Sequence, residues 1–400
     1  VKTEFMFTSE SVTEGHPDKL CDTISDAIVD HFLKQDPHSR IIAECAVSTA
    51  IVFIAARFLS EASVDFPNVA RKVINQIGYD RPDFNGNTAS IITSLRELPE
   101  RERYTFNEWE LTEQDINRIV AKNQVTVFGY ACTQTPALLP MPIWLAHRLV
   151  RRLSKVRHEG VLPYLAPDGK SQVGVEFKGR TPRRIHSITL VVSQNKSPSK
   201  GGPDSETLSR DIIETVISPV FEGEQIAPDK RTRIFINPEG PYVNGGPSVH
   251  AGLTGRKNAI DTYGEYSRHS GAALSGKDPM RIDRVGAYVA RYAAKNVVAA
   301  GLAEECEVQL SYSICLVRPV SIQVETFGTA KIADEKIAEL IEEHFDFRLA
   351  GIVRAFNLRH LPATTKGGFY KKLAAYGQMG RVDMDIPWER TDKAEALMKA

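Results

Sequence analysis

Between Glu239 and Asp283 the chain reads EGPYVNGGPSVHAGLTGRKNAIDTYGEYSRHSGAALSGKDPMRID, a glycine-crowded stretch longer than a compact domain tolerates as plain connection. Tyr242, Leu253, Ile260, Tyr263, Tyr266 and Leu274 recur through it, which argues against a disordered linker. The fold must therefore supply a scaffold along which this segment is laid. Glycine lets backbone approach a ligand closely, and here Arg256, Lys257, Arg268, Lys277 and Arg281 stand among Asp261, Asp278 and Asp283. Fixed cations with a terminal carboxylate suggest a polyanion accompanied by a metal ion; a salt-bridged surface connection is the alternative. Neither GLTGRK nor HSGAALSGKD supplies the P-loop frame, and no GxGxxG opens a helix. A phosphate site would have to be built from side-chain cations and local amides.

A second signal opens the chain, TSESVTEGHPDKLCDTISDAIVDHFL. Pro17 suits the first turn of a helix, and Leu20, Ile24, Ala27, Ile28 and His31 recur at helical spacing as a core-facing stripe. Asp18 and Lys19 then sit at the rim of an ordered element, with His16 just before it. Free amides at a helix start favour anions, so these residues fit either a phosphate site or simple helix capping. A third, weaker signal is DGKSQV at Asp168 to Val173, a lysine on a turn entering a strand.

Equal numbers of Lys+Arg and Asp+Glu, 50 each, give no global reason to expect nucleic acid or a membrane surface as partner. The longest apolar runs, such as Ile51 to Ala56, are too short to span a bilayer, and no secretory leader pattern is visible. Five scattered cysteines without a CxxC pair read as reduced residues of a cytoplasmic protein. Strands are expected at Ile41 to Val47, Ile51 to Ala55, Thr88 to Ser94, Val125 to Cys132, Gln172 to Phe177, Ile185 to Gln194, Arg233 to Ile236, Val308 to Leu316 and Ser321 to Thr326. Helices are expected at Val64 to Ile77, from Thr112 to Lys122, from Ile143 to Val156, and at Leu208 to Ile217, Arg284 to Ala300 and Asp334 to Phe345. Arg96 to Glu113 reads as an exposed charged excursion. The basic face Arg148, Arg151, Arg152, Lys155 and Arg157 reads as solvated or ion-paired, since no aromatic platform accompanies it. This alternation argues for α/β or α+β two-layer units with helices against sheets.

Segments spread over almost the whole length carry a family resemblance: TSESVTEGHPDK, FGYA at Phe128, AHRLV at Ala146, PDGKSQV at Pro167, GLTGRK at Gly252, DTYG at Asp261, SGKDP at Ser275, AAKNVVAAGLA at Ala293, VETFGT at Val324 and PWERTDKA at Pro387. The chain resembles the S-adenosylmethionine synthetase family of the bacterial type. The resemblance implies three intertwined domains of similar topology: residues 1–12 with 134–245, residues 13–100 with 246–283, and residues 101–133 with 284–400. It implies ATP and L-methionine as substrates, with two Mg²⁺ and one K⁺ per site. A homodimer or dimer of dimers is implied, its active sites between subunits. By residue match, His16 lies beside the bridging oxygen at C5′; Asp18 and Asp283 hold Mg²⁺; Lys170, Arg256, Lys257 and Lys277 engage the phosphates; Glu44 belongs to the K⁺ site. Glu10 falls in the same metal and phosphate neighbourhood, and Arg281 replaces a family lysine.

The departures gather at the other end of the pocket. Arg57 stands where the family has a glutamate and Asn123 where it has an aspartate; His250 replaces an aspartate near the nucleoside, and Tyr242 a phenylalanine near the adenine. Two missing carboxylates against a substrate ammonium, each worth roughly 1.5–3 kcal/mol, would weaken amino-acid recognition unless replaced, with Glu97, Glu100 and Glu102 as candidates. The competing reading is a paralogue that keeps triphosphate handling but alkylates another thioether or only hydrolyses nucleoside triphosphate.

Overall fold

The computed structural model describes residues 3–100, 106–243 and 245–399. Three β-sheets organise them, each drawing strands from separated parts of the chain. The first joins β1 (Glu4–Val12), β6 (Leu165–Lys178), β7 (Thr181–Gln194) and β8 (Arg233–Ile236) in that order, with β9 (Tyr242–Val243) alongside β7. The second has β4 (Ser90–Glu97) parallel to β3 (Ile51–Leu59), then β2 (Arg40–Ser48) and the two-residue β10 (Gly252–Leu253), both antiparallel to their neighbours. The third is antiparallel, β12 (Ser321–Glu325), β11 (Glu305–Tyr312) and β5 (Val125–Cys132). Helices α1 (Pro17–Gln35) and α2 (Phe66–Ile77) pack on the second sheet. The mixed α/β class expected from the alternation is the one observed.

The other elements are shorter or positioned by these. α3 (Glu113–Ile116) starts on a capping box between Thr112 and Asp115 but stops at once. The longer helix expected there is cut off because Ala121 instead exchanges backbone hydrogen bonds with Cys315 and Leu316. α4 (Met141–His158) covers the first sheet, and its basic face is ion-paired: Arg148 to Glu224, Arg151 to Asp383 and Arg157 to Glu14. α5 (Ser205–Ile212) runs on through a π-helical turn, Ile213–Ile217, into α6 (Ser218–Phe221). α7 (Asn258–Asp261) lies in the glycine-rich segment, and α8 (Ile282–Ala299) crosses the third sheet. α9 (Asp334–His344), α10 (Leu349–Phe356), α11 (Leu361–Thr364), α12 (Tyr370–Leu373) and α13 (Ala394–Lys399) complete the chain. No helix among the described residues is long and apolar enough to cross a membrane.

α1 departs most from the expected amphipathic helix. It is buried on all sides from Pro17 to Asp30, whereas His31, expected in the core stripe, is exposed. Four aspartates at four-residue spacing are buried with it, because each accepts backbone N–H groups from loops packed against the helix. Asp18 takes Leu253, Asp22 takes Gly255, Asp26 takes Gly276, and Asp30 takes Phe369, Tyr370 and Lys371. The glycine-rich segment is therefore ordered by carboxylates on a helix. Arg284 of α8 closes the same system with two hydrogen bonds to Asp26, at 2.7 and 3.0 Å, both side chains fully buried. Lys19 is also fully buried, paired with Asp22 and Asp261, so it is a structural cation and not a rim residue.

Candidate active site

His16 is the N-cap of α1. Its Nδ1 accepts the Asp18 N–H at 3.2 Å, which leaves the proton of the neutral ring on Nε2. Burial pushes its pKa down to about 4, helped by Lys257 and Lys170 and opposed by Asp168 and Asp18. At neutral pH the ring is an uncharged Nε2–H donor. Asp18 is buried, which alone would raise its pKa, yet the Leu253 N–H and the Lys257 ammonium hold it below the ordinary value. Lys257 Nζ lies 3.1 Å from Asp18, and Arg256 lies 3.8 Å away with its guanidinium half exposed. Gly252 makes this closeness possible: a Cβ there would sit 2.3 Å from the Pro17 carbonyl oxygen.

The hub of this group was absent from the sequence-based candidates. Asp168, buried on β6, accepts the Gly246 N–H at 2.8 Å, the Tyr242 hydroxyl at 3.4 Å and lies 3.1 Å from His250 Nε2. Burial works against its charge, and the hydrogen bond from His250 and the proximity of His16 keep its pKa low. Its Oδ1 is buried without a hydrogen-bond partner. His16, Asp168 and His250 bring one ligand atom each within 4.8 Å of one another. Its sequence signal is PDGKSQV, in which Asp168 stands two residues before Lys170. Lys170 itself lies inside a long strand and not on a turn, opposite Val12, with Glu10 exposed on the same face two residues along.

A second group forms where the segment passes the other end of β2. Gly276, at φ +78°, brings its backbone against Ala43, and Lys277 bridges to Ile42. Lys277 Nζ lies 3.1 Å from Asp283 in the first turn of α8. The Asn123 amide donates to both oxygens of Asp283, at 2.9 and 3.0 Å. Arg281 is near Asp278, and burial lowers its pKa. Arg57 projects from the uncovered face of β3, close enough to Arg281 to repel it. Leu253 pairs with Ala46 and Lys277 with Ile42, so along the strand the two groups are separated by about 13 Å. Among the described residues, no hydrogen bond or ion pair joins them.

Glu44 stands exposed on the same uncovered face as Arg57. The expected charged excursion is in part internal: Glu108 is fully buried, 3.5 Å from Arg359 and 3.7 Å from His360. Glu97 and Glu100 are exposed, while Glu102 lies outside the described residues.

Family models match the chain in three consecutive pieces: S-adenosylmethionine synthetase N-terminal domain over residues 4–99, central domain over 118–242, and C-terminal domain over 244–390. The S-adenosylmethionine synthase of Trichormus variabilis is 49% identical over 408 residues, covering 99% of this chain and 97% of the relative. That of Nostoc punctiforme is 48% identical over 408 residues, with 99% and 96% covered. That of Synechococcus elongatus is 48% identical over 404 residues, with 98% and 97% covered.

Proposed function

The chain belongs to the S-adenosylmethionine synthetase family, and from that premise we propose that it is a methionine adenosyltransferase. ATP and L-methionine react to give S-adenosyl-L-methionine, phosphate and diphosphate. The sulfur attacks C5′, and the triphosphate departs before hydrolysis. The observation that carries this reading is the group at the start of α1, where a neutral Nε2–H donor, His16, stands among Asp18, Arg256, Lys257 and Lys170. Cations fixed where charge accumulates on a leaving triphosphate lower the barrier most effectively. His16 Nε2–H is suited to donate a hydrogen bond to the bridging oxygen as the C5′–O bond breaks. Asp168, with Tyr242 and His250, forms a polar cradle suited to the nucleoside.

The carboxylates of Asp18 and Asp283, each faced by an ammonium group, fit Mg²⁺ shared with phosphate oxygens. When bound, two such ions neutralise the triphosphate. K⁺ is assigned to Glu44. The separation of the two groups within one chain supports a site completed by a second copy, in a homodimer or dimer of dimers. So does the uncovered face of the second sheet, which exposes Ile51, Phe53, Ile92 and Leu253. We assign the three interleaved residue sets given above as the domains, and the cytoplasm as the compartment.

A second reading remains because Arg57 turns a cation toward the amino-acid end and Asn123 is engaged with Asp283. Under it, the same triphosphate machinery alkylates another thioether. Incubation with ATP and methionine, with mass detection of the sulfonium product, decides between them. Phosphate release without that product would overturn the first reading.

A further inference from the structure

Away from the candidate active site, a cleft of about 500 Å³ opens between the C-terminal half of α1, α2 and the loop from Pro362 to Lys371. Lys34, Lys72, Lys366 and Lys371 line it together with His31. The one carboxylate in the lining, Asp30, is buried and committed to three backbone N–H groups. Among the described residues, Lys34, Lys72 and Lys366 form no ion pair, and Lys371 donates to the neutral Gln76 amide oxygen, with the Asp30 and Glu14 carboxylates acting on it from farther off. The crowding acts on His31, whose pKa is lowered by burial and then by Lys72, Lys34 and Lys371. By contrast, Arg148, Arg151 and Arg157 on the basic face of α4 each meet a carboxylate. Concentrating unpaired ammonium groups around one concavity costs folding energy and is offset when an anion enters.

Two features narrow the anion. The volume suits a small molecule and not a peptide helix or a duplex groove. The charges come from several directions, from α1, α2 and the loop, so the ligand must present several anionic oxygens. Thr365 also lines the cleft, whereas the Thr364 hydroxyl is spent on the His360 and Leu361 carbonyls. We propose that this cleft is a second ligand site, binding an oligophosphate, either free or carried on a nucleoside. From Asp18 to His31 along α1 is about 20 Å, so the site is separate from the catalytic group. The loop is held in place from below by Asp30. Gly368, at φ +95°, packs so closely on Asp30 that a Cβ would lie 2.4 Å from its carboxylate.

The test is equilibrium binding of tripolyphosphate, and separately of a non-hydrolysable ATP analogue, to the full chain. The native protein is expected to bind at two sites per chain. Lys34→Glu with Lys72→Glu should weaken one of them by tenfold or more, in keeping with the loss of charge-assisted contacts, while methionine-dependent turnover is retained. Lys277→Met should weaken the other, so that failure of the catalytic reading shows as a separate loss. The milder Lys72→Gln, with an unchanged melting temperature, should weaken the same site a few-fold and guards against misfolding of the double variant. Binding of both probes marks the phosphate chain as the determinant, and binding of the analogue alone marks a nucleoside-borne ligand. An isotherm unchanged by the lysine variants, or binding of neither probe beyond the catalytic site, overturns the proposal.

Discussion

Asp26→Asn should be among the most damaging single substitutions in this chain, although it changes one atom. Asp26 and Arg284 are both fully buried and joined by two hydrogen bonds. The guanidinium also donates to the Lys277 carbonyl at 2.9 Å and to the Tyr288 hydroxyl at 2.8 Å. With asparagine, the Gly276 N–H keeps an acceptor, but the buried guanidinium loses its counter-charge. Breaking a buried pair from one side costs about 3–5 kcal/mol. With roughly 2.1 cal/mol/K of unfolding entropy per residue over 400 residues, that lowers the melting temperature by about 4–6 °C in a cooperative transition. The double variant Asp26→Asn with Arg284→Met removes the stranded charge and leaves chiefly the Lys277 carbonyl unpaired, a loss of about 1–3 kcal/mol. Differential scanning calorimetry should therefore rank the double variant above the single one. A single variant within 1 °C of native, roughly 1 kcal/mol by the same relation, or a double variant melting below the single, would refute the reasoning.

Lys277→Met should lower turnover by about 10²–10³, as loss of a charge-stabilising donor does, while Asp283 keeps the Asn123 amide as a hydrogen-bond partner; steady-state rates and melting curves separate the two. His16 has a folded pKa near 4 against an ordinary 6.5, so the unfolded chain binds its proton first and native stability falls as pH drops from 6.5 to 4, by up to about 3 kcal/mol, then levels off. His16→Gln should lose that much less over the same range in denaturant titrations, and parallel pH curves would contradict it. Phe53→Asp, at the centre of the uncovered sheet face, should shift sedimentation toward the monomer and abolish turnover with little change in secondary structure. Asn123→Asp sets a carboxylate against Asp283 and should destabilise the fold by about 1 kcal/mol at neutral pH, read from melting curves; joined with Arg57→Glu, it should improve methionine KM if the lost carboxylates limit recognition.

Periodic apolar residues revealed the sheet-forming strands and the long helices, since burial of one face leaves a regular trace in sequence. Arg233 to Ile236 falls on β8 without adjustment, and Asp334 to Phe345 on α9 within one residue. Segments fixed by a distant backbone partner left no such trace: the helix expected to reach Lys122 ends because Ala121 pairs with the turn after β11. Buried polar groups were the hardest to foresee. Asp22, Asp26 and Asp30 fall outside the apolar stripe of α1, and their partners are amides remote in sequence that carry no side-chain signature. Asp168 escaped for the same reason, since what marks it is convergence of Tyr242, Gly246 and His250 around one carboxylate.

The aspartates of α1 also bear on which length changes this chain can absorb. Four residues of helix advance about 6 Å, so Asp18, Asp22, Asp26 and Asp30 act as graduations on a rigid ruler. Asp18 and Asp22 fasten one loop, Asp26 a second and Asp30 a third. The spacing between Leu253, Gly276 and Phe369 is thereby measured along α1 and not along the chain that connects them. A residue inserted at an exposed turn between two marks, as beside Gly271, where nothing lies within 4 Å of a Cβ, bulges outward and leaves the marks untouched. A single residue inserted into α1 rotates every later mark by about 100° and detaches several loops together.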